Sequence, residues 1–266
     1  MSGDGLPDTS KLQSVETIPL LSVVVPAYNE EARLANSLKR MLAYLDGEPF
    51  SYEILVVSDG STDETCATVE EIAACRPEVR LLAYSPNQGK GFAVRYGILR
   101  ARGDRILFSD ADLATPIEEL QKLTARLDAG FDIAIGSRDV RGAELIRRES
   151  WLRELGGKTF NRLVQLLTVP GIHDTQCGFK MFTRGAAQAI FSRCVVNNFA
   201  FDVEVLYLAR RVYGMSVAEV PVRWAHQAGS KVRVLRDGAR MVRAVIRIRM
   251  TRYERGTAAA AELHPQ

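Results

Sequence analysis

Two aspartates separated by one residue are the clearest candidates for chemistry in this 266-residue sequence. Asp110 and Asp112 follow the apolar run of residues 105–108, which is typical of a short buried strand. Side chains two residues apart in an extended chain project to the same side, so the two carboxylates repel each other unless a cation lies between them. Their oxygen atoms suit Mg²⁺ or Mn²⁺, with phosphate and water completing the shell. A solvated turn that caps the next helix explains the pair equally well.

Polar residues also follow the three apolar runs that precede this one. Glu30 comes after the first run, Asp59 and Asp63 after the second, and residues 87–91 after the third. Carboxylates at such positions can accept hydrogen bonds from a base or a ribose, although Asp63 is at least as well placed to cap a helix. The glycines on either side of Lys90 allow a backbone to approach a phosphate at the start of a helix. The spacing is not that of a Walker A loop.

The elements that must position these residues alternate regularly. Strands are predicted at residues 20–25, 53–57, 79–84, 105–108 and 132–136, and helices at residues 30–45, 63–74, 89–101 and 116–129. This rhythm predicts an α/β fold with a mostly parallel, Rossmann-like sheet that carries helices on both faces. After residue 140 the pattern predicts helices at residues 150–168, 201–212 and 235–253 and strands at residues 179–182 and 216–221. Ligands bind beyond the carboxyl ends of the strands in such sheets, where the polar residues above lie.

Composition and length favour one folded unit. Of the 266 residues, 47% are hydrophobic, which is enough for a sizeable core, and the formal net charge is only +3. We predict a lead-in at residues 1–17, a catalytic domain at residues 18–230, a basic amphipathic helix at residues 231–255 and a tail at residues 256–266. The four cysteines lack metal-binding spacing and are predicted to be reduced thiols. Without a signal peptide or an apolar run of about 18 residues, a cytoplasmic protein that does not span a membrane is expected.

Four short motifs in the second half resemble those of a known family. They are Ile-Gly-Ser-Arg at residues 135–138, Asp-Thr-Gln-Cys-Gly-Phe-Lys at residues 174–180, Phe-Asp-Val-Glu at residues 201–204 and Gly-Ser-Lys at residues 229–231. Together with the paired aspartates, they resemble the family 2 inverting glycosyltransferases of the GT-A fold, and within them the dolichyl-phosphate β-glucosyltransferase branch. The resemblance runs from about residue 20 to residue 252.

The resemblance implies a role for each candidate residue. Nucleotide binding falls to Pro26, Tyr28, Glu30, Asp59, Lys90 and Asp110. Metal binding falls to Asp110 and Asp112, and catalysis to Asp112, Arg138 and Asp202. The donor sugar and the acceptor fall to Asp174, Gln176 and Lys231, with Arg138 and Lys231 on a phosphate group. One departure is Ala114, because the related mannose synthases commonly carry glutamine there. This departure counts against mannose as the transferred sugar.

The implied reaction moves a hexose from a nucleotide diphosphate sugar, with UDP-glucose favoured, to a polyprenyl phosphate by metal-assisted direct displacement. A phosphate monoester has a second pKa of about 6, so an anionic oxygen is available near neutral pH without a strong base. A hydroxyl acceptor needs a base, for which Asp202 is the obvious residue. Binding a sugar hydroxyl is an equally good role for Asp202. A transferase with a soluble hydroxyl acceptor and a non-catalytic nucleotide-sugar-binding protein are the two alternatives, whereas nucleic-acid binding is not expected.

The C-terminal region is strongly basic. Residues 231–255 contain nine Lys or Arg residues and two acidic ones, with apolar residues at near-helical spacing. A basic amphipathic helix of this kind is typical of a surface that binds anionic lipid. An ordinary helix with its apolar stripe on the core explains the same pattern. The lipid-phosphate acceptor implied by the resemblance favours peripheral contact with the cytoplasmic face of a membrane.

Overall fold

The computed structural model describes residues 18–147, 168–225 and 243–253. The strands are β1 Leu21–Ala27, β2 Tyr52–Asp59, β3 Val79–Tyr84, β4 Arg105–Ser109, β5 Ile133–Ser137, β6 Glu144–Arg147, β7 Phe179–Thr183, β8 Val217–Pro221 and β9 Arg223–Ala225. The helices are α1 Leu34–Leu45, α2 Thr65–Cys75, α3 Lys90–Ile98, α4 Leu120–Asp128, α5 Arg184–Phe191 and α6 Phe201–Tyr207. A further helical segment, α7, occupies residues 243–250.

Seven strands form one sheet in the order β3-β2-β1-β4-β7-β5-β8. Strands β1, β2, β3 and β4 run parallel to one another, as do β5 and β8. Strand β7 is antiparallel to both of its neighbours, β4 and β5, and pairs Phe179 with Ser109. The predicted α/β fold with a mostly parallel sheet is confirmed. Because β7 begins beside the end of β4, the chain just before Phe179 lies next to Asp110, which follows β4.

Both faces of the sheet are buried, which explains why its strands are almost continuously apolar. Successive residues of a strand point to opposite faces, so Val24 and Leu55 join the core on one side, and Val23 and Ile54 join the core on the other. Helices α3, α5, α6 and α7 pack on the first side, and α1 and α4 on the second. Strands β6 and β9 form a separate parallel pair.

Several element boundaries differ from those predicted. Helix α1 begins at Leu34 rather than at residue 30, because Asn29 adopts a left-handed conformation with φ of 52° and residues 31–33 form a turn. Helix α5 was not predicted. The helix predicted at residues 201–212 is α-helical only to Tyr207 and continues as π-helical turns over Leu208–Tyr213.

Several sequence predictions fall outside the described ranges. These include the lead-in at residues 1–17, the tail at residues 256–266, residues 231–242 of the basic segment and, except for Thr168, the helix at residues 150–168. In the described part of the basic segment, the helix ends at residue 250 rather than at residue 253. No helix in residues 18–147, 168–225 and 243–253 is long and apolar enough to cross a membrane.

Candidate active site

The carboxyl ends of β1, β2 and β4 open onto a cavity of about 420 Å³. The six residues predicted to bind the nucleotide all line it, and so does Asp112. Arg33 and Phe199 also line it, although neither was predicted. The parallel strands explain this convergence, because the residues that follow each strand meet at one edge of the sheet. The structure therefore brings the first half of the predicted site together.

Asp110 and Asp112 leave the end of β4 through a tight turn. The backbone amide of Asp110 donates a hydrogen bond to the Gly178 carbonyl at 3.0 Å, and Oδ1 of Asp112 accepts one from the Ala114 amide at 3.0 Å. Leu113, between Asp112 and Ala114, has a left-handed φ of 48°. Burial raises the pKa of Asp112 above its ordinary value, and the negative charge of Asp110 raises it further. The two carboxylates are thus held close enough to affect each other.

Lys90, the first residue of α3, supplies positive charge to this pair. Its Nζ lies 2.6 Å from Oδ1 of Asp110. The ammonium also lies over the rings of Phe108 and Phe199, at 5.4 and 5.7 Å from their centroids. Burial alone lowers the pKa of Lys90, but the charges of Asp110 and Asp202 raise it above its ordinary value. Lys90 is therefore a fixed cation at the edge of the cavity.

Asp59 is held mainly by the loop between β3 and α3. Its carboxylate accepts hydrogen bonds from the Tyr84 hydroxyl at 2.9 Å, from the Gln88 amide at 2.7 Å and from the Gly89 amide at 3.0 Å. The Asn87 side chain donates a further bond at 2.9 Å. Asp59 lines the cavity as predicted, but these bonds give it a second role that the sequence did not indicate. It fixes the loop that places Lys90.

Arg33 links the end of β1 to the aspartate pair. It forms an ion pair with Glu30, with Nη2 2.9 Å from Oε1, and its Nη1 lies 3.8 Å from Oδ2 of Asp112. The spacing of three residues between Glu30 and Arg33 was the available signal for this pair. Asp63 has structural contacts, because its carboxylate accepts hydrogen bonds from the Thr65 amide at 3.0 Å and from the Glu31 amide at 3.2 Å. It lies one residue before Glu64, the N-cap of α2, rather than at the cap itself.

Arg138 and Asp174 form a second group at the end of β5. The Arg138 guanidinium contacts Asp174 through Nε at 2.7 Å and Nη2 at 2.9 Å, and it lies 5.3 Å from the Trp224 ring centroid. Asp174 is fully buried, and the Gln176 amide also donates to it at 3.1 Å. Burial alone raises the pKa of Asp174, but Arg138 lowers it below its ordinary value. Three predicted site residues, Arg138, Asp174 and Gln176, therefore lie together, and Asp174 holds Arg138.

Removing the Arg138 charge is expected to destabilise the fold. Arg138→Met leaves the buried Asp174 carboxylate without its partner, which costs about 3–5 kcal/mol in comparable pairs. Urea unfolding measures the loss, and Arg126→Met, on the exposed side of α4, is the matched control. At pH values above the ordinary carboxyl pKa, the Arg138–Asp174 pair makes its full contribution to the stability of the wild type. That contribution is lost as the pH falls through the lowered pKa of Asp174. If Arg138→Met unfolds at the same urea concentration as the control, the pair contributes no stability.

Asp202 lies in the first turn of α6 and is only 4% exposed. Its Oδ1 is 2.5 Å from Nζ of Lys180, which is itself 1% exposed. Burial raises the pKa of Asp202 above its ordinary value, and the charges of Lys180 and Lys90 offset part of that rise. Lys180 was not among the predicted site residues, although it ends the motif at residues 174–180. Lys231 lies outside the described residues.

The side chains of the four cysteines and of His173 do not line the cavity. All four cysteines are free thiols, as predicted. His173 shares a 2.9 Å contact between Nδ1 and the Glu219 carboxylate, which agrees with the structural role expected for it.

Comparison with known proteins decides the family. The model of the family described as "Glycosyl transferase family 2" matches residues 22–191, which is more than half of the chain. The chain is a family 2 glycosyltransferase. A dolichyl-phosphate beta-glucosyltransferase of Dictyostelium discoideum is 40% identical to it over 243 residues, covering 86% of this chain and 73% of the relative. The Drosophila melanogaster protein of the same name is 44% identical over 241 residues, covering 84% and 73%.

Solved structures show the same fold. Glucosyl-3-phosphoglycerate synthase from Mycobacterium tuberculosis, in complex with Mn²⁺, UDP and glucosyl-3-phosphoglycerate, superimposes with a TM-score of 0.61. The match covers 86% of this chain and 78% of that one, at 21% sequence identity. At that identity the likeness concerns the fold alone, which is GT-A as predicted.

The carboxylates of this glycosyltransferase fit a divalent cation that takes some of its ligands from the protein and the others from a bound nucleotide and water. Among the described residues, no group of three or more His, Cys, Asp and Glu side chains is placed to hold a metal ion. Asp110 and Asp112 supply two partly exposed carboxylates facing the cavity. Mg²⁺ and Mn²⁺ are commonly bound through one or two carboxylates, with substrate phosphates and water as the other ligands. The pair fits that pattern.

Proposed function

We propose that the chain transfers glucose from UDP-glucose to a polyprenyl phosphate of the dolichyl type, with inversion at the anomeric carbon. One observation carries the proposal: the cavity at the strand ends contains two neighbouring carboxylates and a fixed lysine, as departure of a diphosphate requires. The names of the relatives, at 40% and 44% identity, support glucose and a dolichyl-type phosphate.

The donor would occupy the cavity with its base over the ends of β1 and β2. Pro26, Tyr28 and Glu30 would contact the nucleoside, and Tyr28 is 39% exposed and accessible for stacking. Asp59 would contact the base while it holds the loop before α3. Lys90 and Asp110 would lie beside the ribose and diphosphate, where the lysine offsets the charge that develops on the leaving group.

A divalent cation, Mg²⁺ or Mn²⁺, would be held by Asp112 with Asp110. When bound, it stabilises negative charge on the departing diphosphate as a Lewis acid. Arg33 lies beside the same carboxylate, with Nη1 3.8 Å from Oδ2 of Asp112. Lys90 supplies positive charge from the protein itself.

The acceptor phosphate would approach from the side of Arg138. Arg138 is held in place by Asp174, and with Lys231 it would bind the phosphate, while Gln176 would lie beside the sugar. Because a phosphate monoester is already largely ionised near neutral pH, the chain needs no strong base. Asp202 is ion-paired to Lys180, which suits a carboxylate that contacts a sugar hydroxyl.

A transfer assay tests the proposal. Purified protein is incubated with UDP-glucose or GDP-mannose, with Mg²⁺ or Mn²⁺, and with a short polyprenyl phosphate or a soluble sugar alcohol. The expected product is the glucosyl polyprenyl phosphate, identified by mass, with little transfer from GDP-mannose. Transfer to the soluble hydroxyl acceptor alone would contradict the proposed acceptor. Binding of UDP-glucose without any transfer would favour the non-catalytic alternative.

We also propose that α7 lies against the cytoplasmic face of a membrane. The structure separates two sides of this helix: Val245 and Ile248 are buried in the core, whereas Ile246 and Met250 are 48% and 76% exposed. Arg243 and Arg247 lie on the exposed surface, beside the loop at residues 195–198. Exposed apolar side chains among arginines favour the interface of an anionic bilayer.

Charge removal on α7 is expected to weaken vesicle binding. Each basic residue near an anionic bilayer contributes about 1 kcal/mol, so the double variant Arg243→Gln/Arg247→Gln should bind about 25-fold more weakly. Sedimentation with phosphatidylserine-containing vesicles measures this loss. Lys39→Gln/Arg126→Gln removes the same charge from exposed positions on α1 and α4, across the sheet, and should bind like the wild type. Equal losses in the two double variants would rule out α7 as the contact.

A further inference from the structure

Lys180 carries a charge into the middle of the sheet. It lies on β7, between β4 and β5, and is 1% exposed. Its Nζ lies 2.5 Å from Oδ1 of Asp202 and donates a hydrogen bond to the carbonyl of Cys177 at 2.7 Å. Taking an ammonium and a carboxylate out of water costs several kcal/mol per ion, and an apolar pair of the same volume is often as stable. Fold stability alone therefore does not explain the pair.

The surroundings of the pair connect it to the donor cavity. The ammonium groups of Lys180 and Lys90 lie beside the same ring, that of Phe108, at 5.9 and 5.4 Å from its centroid. Lys90 in turn contacts Asp110 at the cavity edge. Phe201, beside Asp202, packs edge-on against Phe108 with 5.7 Å between ring centroids. Positive and negative side chains thus alternate from Lys180 through Asp202 and Lys90 to Asp110.

The balance of charge in this series explains what Lys180 does. Each of the three carboxylates in the region has a cation near it: Lys180 lies 2.5 Å from Asp202, Lys90 lies 2.6 Å from Asp110, and Arg33 lies 3.8 Å from Asp112. Without Lys180, the other ammonium group beside the Phe108 ring, that of Lys90, would be left to offset the charge of the buried Asp202. Lys90 would then be drawn away from Asp110 and from the site of the donor diphosphate.

We infer that Lys180 is a positioning residue, which holds Asp202 so that Lys90 stays at Asp110 and is available to the donor diphosphate. The inference rests on the proposed function, because it takes the cavity to be the donor site. Lys180 is not among the residues that line the cavity. The Cys177 carbonyl fixes the ammonium on its other side, so the interaction has a defined geometry.

Calorimetry with UDP and with uridine, in buffer containing Mn²⁺, tests the inference. Lys180→Met keeps most of the side-chain volume and removes the charge. UDP affinity should fall about tenfold, within the usual range of couplings between neighbouring sites, while uridine affinity stays unchanged. A purely structural role predicts that both ligands lose affinity equally, and that result would overturn the inference. Lys39→Met, at an exposed position of α1, is the control.

A double variant separates action through Asp202 from direct action. In Lys180→Met/Asp202→Asn the unpaired carboxylate is gone, so UDP affinity should return to within about threefold of Asp202→Asn alone. This variant contains no uncompensated buried charge at the pair, and it carries the test if Lys180→Met does not fold. A double variant that binds UDP more than about tenfold more weakly than Asp202→Asn would overturn the inference.

A transfer assay of the wild type distinguishes failure of this inference from failure of the proposed function. Glucose transfer to a polyprenyl phosphate is scored separately on the wild type. If the wild type binds UDP but transfers no glucose, the proposed function fails and the comparison of variants still stands. If the wild type transfers glucose and Lys180→Met binds UDP normally, only the inference fails.

Discussion

Replacing Asp112 with alanine is expected to lower the rate of glucose transfer about a thousandfold, the size of effect seen when a preorganised charge-stabilising group is removed. Asp112 and Asp110 are neighbouring carboxylates that line the cavity, and burial and the charge of Asp110 raise the pKa of Asp112. Without Asp112 a cation would keep a single carboxylate ligand from the pair. The initial rate of product formation at saturating UDP-glucose measures the effect.

The control for this variant lies at the other end of the same strand. Asp104 precedes β4, its side chain is 66% exposed, and its Oδ1 lies 3.5 Å from Nε of Arg184. Asp104→Ala should retain wild-type activity within about a factor of two, as surface substitutions usually do. An Asp112→Ala variant that is as active as Asp104→Ala would exclude the aspartate pair from the reaction.

Gly178→Ala is expected to have the second largest effect on turnover. A Cβ atom added to Gly178 would lie 1.9 Å from Oδ2 of Asp110, far inside van der Waals contact, so the carboxylate must move. The backbone cannot easily retreat, because the Gly178 carbonyl accepts the Asp110 amide at 3.0 Å. A misplacement of about 1 Å at a reacting centre can cost about a hundredfold in rate. We therefore expect kcat to fall about a hundredfold.

Gly185→Ala is the matched control for the added methyl group. Gly185 lies in the first turn of α5, where a Cβ would meet nothing within 4 Å. That variant should be fully active and as stable as the wild type or more so, since alanine favours a helix by up to about 1 kcal/mol over glycine. The two variants are compared by turnover and by melting temperature. Wild-type kcat in a folded Gly178→Ala variant would show that the position of Asp110 is unimportant.

The sheet and the first half of the site followed from local patterns. Apolar runs ending in polar residues predicted β1 to β5, and parallel strands bring their carboxyl ends to one edge. Pro26, Glu30, Lys90 and the aspartate pair therefore converge as expected. The four motifs of the second half also indicated the correct family.

The contacts between distant parts of the chain could not be predicted in the same way. Strand β7 follows β5 in sequence by more than 40 residues, yet it lies between β4 and β5 in the sheet. Apolar periodicity carries no information about that order. Consequently the contact of Gly178 with Asp110, and of Lys180 with Asp202, had no local signal.

The sequence placed Asp59 and Asp174 in the site but did not give their hydrogen-bond partners, so their roles were only partly predicted. Asp59 was predicted to contact a nucleoside because it follows a strand, but its bonds to the loop before α3 depend on residues 25 to 30 positions later. Asp174 was assigned to the sugar and acceptor side, and in the structure it holds Arg138. In both cases the residue type and location were informative, whereas the hydrogen-bond partners required the fold.

Calorimetric titration with UDP-glucose, in Mn²⁺ and in EDTA, tests the central claim most directly. The claim is that Asp110 and Asp112 hold a divalent cation that binds the donor diphosphate. The account predicts one donor per chain in Mn²⁺, binding at least about tenfold more weakly in EDTA, with Asp112→Ala in Mn²⁺ behaving like the wild type in EDTA. Equal donor affinity in Mn²⁺ and EDTA, or no donor binding in either, would contradict it.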